Sequence, residues 1–187
     1  DCLRIVQEVM RKINSIDDRK TRIDLLRARV RKDGIVNLAL PGFMPIIGIS
    51  ASVARPEIVS LLLEHGAAPF AADIFGTDPF MWACAAGRMD TVKFWLDRFP
   101  KWDLNKKNAS FGAAAIIFAV TFGPNRLELV KVLLDQGASL SFVDDSGGST
   151  LIAACLSEDS DREVLRLLLE CNKDNLINFK RRGLTLK

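Results

Sequence analysis

Apolar residues return along this chain in a regular phrase of two helix-length segments separated by turns. In each phrase, a stretch rich in small residues precedes a segment that closes on three consecutive aliphatic or aromatic residues. The last members of the four triplets are 33, 38 and 35 residues apart, at Leu63, Leu96, Leu134 and Leu169. Alanines in the preceding stretches keep a similar spacing, 36 and 35 residues, at Ala83, Ala119 and Ala154. This period, with two helices in each unit, predicts a stacked helical repeat.

The second unit shows most clearly why these residue types recur. Gly76 permits the tight turn of a hairpin tip, and Pro79 fits the first turn of a helix, where its missing N–H costs nothing. Small residues at 83–86 keep that helix thin, so that neighbouring units can stack closely, and Gly87 allows the chain to reverse. The following helix is expected to bury Val92, Trp95 and Leu96.

The segment from Asp73 to Leu96 closely resembles the ankyrin repeat, whose phrase runs Asp-x-x-Gly-x-Thr-Pro-Leu-His-x-Ala, then Gly-x-x-Glu-Ile-Val and Leu-Leu. The resemblance covers about residues 40–178. It implies an all-α, ankyrin-type helix-turn-helix repeat solenoid with short hairpin-like loops. The histidine of the inner helix, which in the family hydrogen-bonds between units, is replaced throughout by Ile47, Met81, Ile117 and Ile152. These substitutes predict an apolar seam between the repeats and a divergent family member.

The repeat register divides the chain into six segments. We predict an N-terminal helical cap or degenerate repeat over residues 1–39. Four ankyrin repeats are expected to follow, over residues 40–72, 73–108, 109–143 and 144–178. Residues 179–187 are predicted to be the truncated start of a further repeat, or a tail.

Charge is unevenly distributed along the chain. Residues 1–34 carry ten Lys or Arg against six acids, whereas the remaining residues carry 16 against 17. A nearly neutral repeat body argues against a nucleic-acid groove along it, so no nucleic-acid partner is expected. The basic N-terminal segment has two interpretations: a solvated helix face, or a site that docks to an acidic protein, anionic lipid or RNA.

Cysteine usage and hydropathy favour an intracellular, cytoplasmic protein. The four cysteines form no CxxC pair and are accompanied by no histidine cluster, so no zinc site is expected. Cys84 and Cys155 fall at equivalent positions and are both expected to be buried, reduced thiols. Residues 35–54 carry no charge, but Pro41 and Pro45 make a membrane-spanning helix there a poor fit. Any contact with a membrane is therefore expected to be indirect.

Motifs for catalysis are absent from the sequence. It has no phosphate-binding Gly-Lys loop, Rossmann fingerprint or nucleophile elbow. The single histidine, His65, falls at a turn position to which no motif brings a nucleophile or an orienting acid. Asp144, Asp145 and the acids of residues 158–161 lack the spacing of a calcium loop. We therefore expect no enzymatic activity, no cofactor and no metal.

An ankyrin-like stack offers a binding surface instead of a reaction centre. By resemblance, the concave face lined by hairpin tips and inner helices is where family members mainly bind partners. Mapping the family positions onto this chain gives the candidate partner-binding residues Phe43, Ile74, Phe75, Thr77, Ser110, Phe111, Phe122, Asp145 and Ser146. Trp102, in a stiff rim segment that follows Pro100, is a further candidate.

Two features of this set have alternative explanations. Phe75 and Phe111 occupy the same slot, immediately before the turn glycine. They are either interface anchors on exposed tips, or each tucks back onto the neighbouring hairpin. Trp102 either packs under its own loop or contacts a neighbouring molecule.

The leading functional prediction is a non-enzymatic protein–protein interaction module or scaffold subunit that binds another protein through the concave face of an ankyrin stack. It would form part of a larger complex. One alternative is the targeting or regulatory arm of a larger enzyme or channel. The other is a membrane-associated assembly subunit.

Overall fold

The computed structural model describes residues 44–157 and 162–171, so the predicted segments 1–39 and 179–187 lie outside the described residues. Within the described ranges the chain forms eight helices and no strand. In chain order they are α1 Ile46–Val53, α2 Pro56–Glu64, α3 Pro79–Ala85, α4 Met89–Arg98, α5 Ala115–Thr121, α6 Arg126–Asp135, α7 Thr150–Leu156 and α8 Arg162–Cys171.

The helices associate as consecutive pairs of one inner and one outer helix. The inner helices α1, α3, α5 and α7 pack on one another in sequence, and each packs on the outer helix that follows it. Hairpin tips precede α3, α5 and α7 and bring the chain from one pair to the next. This arrangement confirms the predicted all-α stack of helix-turn-helix units.

The seam between the inner helices is apolar, as predicted from the residues that replace the family histidine. Ile47, Met81 and Ile117 are buried there, whereas Ile152 in α7 is only half-buried. The outer helix α4 buries Val92 and Trp95 completely, as expected. Burying an aliphatic side chain of this size contributes about 1.5–3 kcal/mol to folding, so the seam and the outer-helix face hold each unit on the next.

Side-chain oxygens at the ends of two tips cap the N-termini of the inner helices that follow. Asp78 Oδ1 accepts the Met81 N–H at 3.0 Å at the start of α3, and Ser149 Oγ accepts the Ile152 N–H at 3.3 Å at the start of α7. Asp78 is fully buried, and its other carboxylate oxygen lies 3.3 Å from Lys106 Nζ. The ammonium group of Lys106 compensates the buried charge of Asp78, which stands at the position where the family phrase has threonine.

Polar bonds also tie each unit to the next along the rim of the stack. The Arg88 guanidinium donates to the Ala54 carbonyl at 3.0 Å and pairs with Asp90 in its own unit. One unit further on, the Ser139 N–H donates to Asn105 Oδ1 at 2.9 Å. These contacts between residues about one period apart fix the register of neighbouring units.

The prediction for the two equivalent cysteines is half right. Cys84 in α3 is fully buried, as expected, because α5 packs over that helix. Cys155 in α7 is exposed, so the expectation that it is buried is wrong. The difference is positional: α3 packs between the inner helices α1 and α5, whereas α7 is the last inner helix of the described residues and packs on α5 and α8.

Glycines allow successive units to approach more closely than any other residue would. Gly87 and Gly123 follow the inner helices α3 and α5, and both have left-handed φ angles, 65° and 71°. A Cβ on Gly87 would overlap the carbonyl oxygen of Pro124, and one on Gly123 would lie 2.6 Å from the carbonyl oxygen of Ala85. The second and third units therefore meet backbone to backbone at these turns.

We predict that Gly87→Ala destabilises the protein far more than Gly137→Ala. Gly137 also has a left-handed φ, 90°, but a Cβ there meets nothing within 4 Å. The Gly137 variant should lose about 1–2 kcal/mol of unfolding free energy from backbone strain alone. The Gly87 variant should lose about 1–3 kcal/mol more, because its methyl group would push two units apart. Urea unfolding measures both values; equal losses would contradict the close approach.

Candidate functional site

The candidate site is built on the hairpin tips, each of which is closed by a side chain at its base. Asp73 Oδ1 accepts the backbone N–H groups of Phe75 and Thr77, both at 2.9 Å. Asp144 Oδ1 repeats this arrangement with the N–H groups two and four residues further on, at 2.9 and 2.7 Å. Such local turns fix the shape of a tip without any contribution from a partner.

The tip of the third unit, which precedes α5, is one residue longer than the tips of the neighbouring units. The Asn108 N–H donates to the carbonyl of Ala113, five residues on, and the Asn108 side-chain Oδ1 accepts the Ala113 N–H, both at 2.9 Å. In the second unit, the Asp73 N–H donates to the carbonyl of Thr77, only four residues on. The side chain of Asn108 is buried, and its amide donates to Thr77 Oγ1 at 3.4 Å. The side chain of Asn108 therefore closes its own tip and also joins it to the preceding tip.

A backbone ladder connects the tips of successive units. The Ser110 N–H donates to the Phe75 carbonyl at 3.0 Å, and the Asp145 N–H donates to the Phe111 carbonyl at 2.9 Å. The two bonds join equivalent pairs of positions in the second, third and fourth units. Neighbouring tips are thus held at one fixed spacing and present their side chains as one continuous surface.

Phe75 and Phe111 form a stacked pair at the centre of this surface. Their ring centroids are 5.9 Å apart, and the rings are inclined by 28°. The two side chains nevertheless stay 42 % and 54 % exposed, and the neighbouring Ile74 is 62 % exposed. The two rings lean on each other across neighbouring tips and still face solvent. That they anchor an interface stays a prediction.

The other tip candidates divide into exposed and buried positions. Ser110, Asp145 and Ser146 are exposed, and Ser146 Oγ donates to Asp144 Oδ1 at 2.7 Å. Thr77 is only 3 % exposed, so its side chain does not belong to an accessible surface. It lies at the inner end of the tip, where its hydroxyl faces Asn108. Phe43 lies outside the described residues.

Two exposed apolar side chains mark the ends of inner helices. Phe122, which follows α5, is 53 % exposed and contacts Phe118 with a centroid distance of 6.3 Å. Leu156, the last residue of α7, is 64 % exposed. Phe122 was among the residues predicted from the family positions.

Trp102 lies within an aromatic cluster of the outer rim. Its ring contacts Trp95 at 5.3 Å and Phe99 at 5.6 Å, and it stacks almost parallel on Phe70 at 4.8 Å. The indole therefore packs under its own loop. Phe70 was not singled out from the sequence, since nothing in the repeat phrase marks its position.

Residues that could support chemistry are dispersed in the described part of the chain. No group of three or more metal-ligating side chains occurs within residues 44–157 and 162–171. His65 lies at the C-terminal end of α2, where its backbone N–H donates to the carbonyls of Leu61 and Leu62. Among the same residues, no helix is long and apolar enough to cross a membrane, and the described half of segment 35–54 forms the short helix α1.

Cys84 illustrates how the stack suppresses reactivity. Burial, and then the nearby Asp78 carboxylate, raise the pKa of the Cys84 thiol well above its ordinary value. The thiolate is the nucleophilic form of cysteine, so this side chain stays protonated and unreactive at neutral pH.

These features, consecutive helix pairs, hairpin tips closed by aspartate and tightly approaching glycines, define a stacked helical repeat protein. A sequence profile described as "Ankyrin repeats (3 copies)" matches residues 80–179, which are 100 of the chain's 187 residues. The chain belongs to the ankyrin repeat family. Members of this family generally act as protein–protein interaction modules and are typically not enzymes.

The chain is also similar to part of two curated mammalian proteins. It is 32 % identical over 103 residues to "Ankyrin repeat and SAM domain-containing protein 6" of Rattus norvegicus, and 31 % identical over 103 residues to the Mus musculus protein of that name. In each case the match covers 53 % of this chain and 11 % of the relative. The similarity therefore concerns about a tenth of those longer proteins.

Thiol labelling tests the packing around Cys84. In a Cys2→Ser background, a disulfide reagent at neutral pH should react with Cys155 and Cys171, which are exposed, and leave Cys84 unmodified until urea unfolds the chain. A Cys84→Ala variant is the control, and it should lose only the thiol that appears on unfolding. Rapid reaction of Cys84 in the folded protein would contradict the burial of α3.

Proposed function

We propose that this protein binds another protein through the surface formed by its hairpin tips and inner-helix ends. This surface, here called the tip surface, comprises Ile74, Phe75, Ser110, Phe111, Phe122, Asp145 and Ser146. The observation that carries the proposal is the stacked Phe75–Phe111 pair, which remains about half exposed. Clusters of exposed aromatic side chains are typical of protein interfaces.

The arrangement suits an interface because its apolar centre is already ordered. The tips are closed by Asp73 and Asp144, and the ladder bonds of Ser110 and Asp145 fix one tip against the next. A partner would therefore bury these rings without first ordering a loop, which lowers the entropic cost of association. Completing the burial of one such side chain would contribute about 1 kcal/mol or more to binding.

The polar residues of the tip surface favour a protein partner over a nucleic acid. Its polar members are Ser110, Asp145 and Ser146, and the only charged one among them is acidic. A phosphate backbone would be repelled by Asp145, whereas the N–H groups and basic side chains of a protein could be accepted there. The finer prediction is a scaffold that holds one fixed partner inside a larger, cytoplasmic complex.

Affinity capture with a double variant tests this proposal. Tagged wild-type protein and Phe75→Asp/Phe111→Asp are used to capture partners from a lysate of the source cell, and the Kd of any enriched protein is then measured. The variant should bind at least about 30-fold more weakly, which corresponds to the ~2 kcal/mol of one hot-spot side chain. Its far-UV circular dichroism should be unchanged, since both rings are partly exposed.

A matched control separates the tip surface from exposed apolar residues in general. Leu169 is 43 % exposed on the outer helix α8, so Leu169→Asp introduces the same charge away from the tips. We expect this variant to capture the partner as the wild type does. Equal weakening by both variants, or unfolding of the double variant, would contradict an interface centred on Phe75 and Phe111.

A second candidate function is supported by the comparison with the two curated relatives. There the matched stretch is about a tenth of a protein whose name includes a second kind of domain. The ankyrin stack would then serve as the targeting or regulatory arm of a larger polypeptide. An immunoblot of source cells with an antibody against residues 44–157 decides between the two: a band well above the mass of 187 residues supports the arm, and a band at that mass excludes it.

A further inference from the structure

The row of aromatic rings along the hairpin tips ends at the third unit. The residue immediately before the tip glycine is Phe75 in the second unit, Phe111 in the third and Ser146 in the fourth. Phe75 covers one face of the Phe111 ring at a centroid distance of 5.9 Å. On the other side, Ser146 is too short to cover a ring, and its hydroxyl is bonded to Asp144 Oδ1 at 2.7 Å. Phe111 therefore keeps an aromatic face open toward the fourth tip, in agreement with its exposure of 54 %.

A carboxylate lies beside this open face. The Asp145 N–H is bonded to the Phe111 carbonyl at 2.9 Å, and a Cβ on Gly112 would overlap Asp145 Oδ1, so the acid lies against the backbone that follows Phe111. Within the described ranges, the Asp145 carboxylate accepts no hydrogen bond and forms no ion pair. Asp144 differs, because its Oδ1 accepts three bonds that close the tip. The charge of Asp145 is thus not used by the described fold and stays available to a ligand.

The basic residue that reaches across to the fourth unit does not neutralise this carboxylate. Lys107 Nζ donates to the Val143 carbonyl at 2.9 Å and lies 5.6 Å from the centroid of the Phe142 ring. None of the residues that make up the tip surface is basic. The negative face of the Phe111 ring and the Asp145 carboxylate therefore form one position that is complementary to a cation.

An arginine side chain fits this position better than a lysine. A guanidinium group is planar, so it stacks on an aromatic face and at the same time pairs with a carboxylate through two N–H groups. The lysine ammonium is a compact, strongly hydrated charge that cannot do both in one plane. Beside the position, Ile74 and Phe75 are 62 % and 42 % exposed, and they offer a contact to an apolar side chain next to the cation.

We propose that the protein partner inserts an arginine between the third and fourth tips. Its guanidinium stacks on Phe111 and pairs with Asp145, while a neighbouring apolar side chain of the partner packs on Ile74 and Phe75. This assignment rests on the proposed function, and it adds the chemical class of the segment that is recognised: an arginine within a few residues of a large apolar residue.

Selection of random peptides displayed on phage tests the assignment with the full chain. Peptides that bind the wild type are divided by whether they lose binding to Phe75→Asp/Phe111→Asp, which identifies those that use the tip surface. We expect these peptides to be enriched in arginine next to an apolar residue, relative to the unselected library. Peptides that still bind the double variant should show no such enrichment.

Measured affinities of one such peptide then locate the arginine. Asp145→Asn should raise its Kd at least about fivefold, because the guanidinium loses its charged partner. The same peptide with arginine replaced by leucine should bind the wild type and Asp145→Asn equally. Asp135→Asn is the matched control, since Asp135 is exposed at the end of the outer helix α6, and it should leave the Kd unchanged.

The possible failures of the two proposals are distinguishable. Tip-dependent peptides without arginine, or an arginine peptide that binds Asp145→Asn as tightly as the wild type, would overturn the arginine position and leave the tip surface as an interface. Peptides that bind without any dependence on Phe75 and Phe111 would overturn both. An equal rise in Kd for Asp145→Asn and Asp135→Asn would also overturn the arginine position, because it would reflect net charge alone.

Discussion

The close approach of successive units is the constraint on which the rest of this structure depends. At the turns after the inner helices, Gly87 and Gly123 meet the backbone of the neighbouring unit, and at the tips Gly76 lies against Ala109. Such short separations exist only where no Cβ intervenes, and they bring the thin, alanine-rich inner helices into contact. Most of the burial in the seam, including that of Cys84 and Met81, follows from this spacing.

The same constraint prepares the candidate site. Because the units are held closely, the N–H groups of Ser110 and Asp145 reach the carbonyls of the preceding tips. The tips then carry Phe75 and Phe111 near enough to stack while leaving about half of each ring exposed. A rigid, extended surface of this kind is what a stacked repeat architecture offers to a partner.

Sequence alone predicted the features that depend on local conformation or on periodicity. The turns at Gly76 and Gly87 and the helix start at Pro79 were predicted correctly, because turns and helix starts restrict the residue type at single positions. Errors arose where burial depends on the packing of neighbouring units: Cys84 is buried and the equivalent Cys155 is exposed. The sequence also did not show that Asn108 closes the longer tip of the third unit. In the other tips, the closing residue stands three positions before the tip glycine. The stacking of Phe70 on Trp102 joins two loops whose proximity exists only in the fold.

Native-state hydrogen exchange of the tip amides tests the central claim most directly. Ser110 and Asp145 are exposed residues, yet their N–H groups are donated between units. The close stack predicts that both exchange much more slowly than the amide of Lys101, which lies in an exposed turn, and that they become unprotected together when the units separate. Exchange of Ser110 and Asp145 as fast as that of Lys101 would show that the tips are not held against one another.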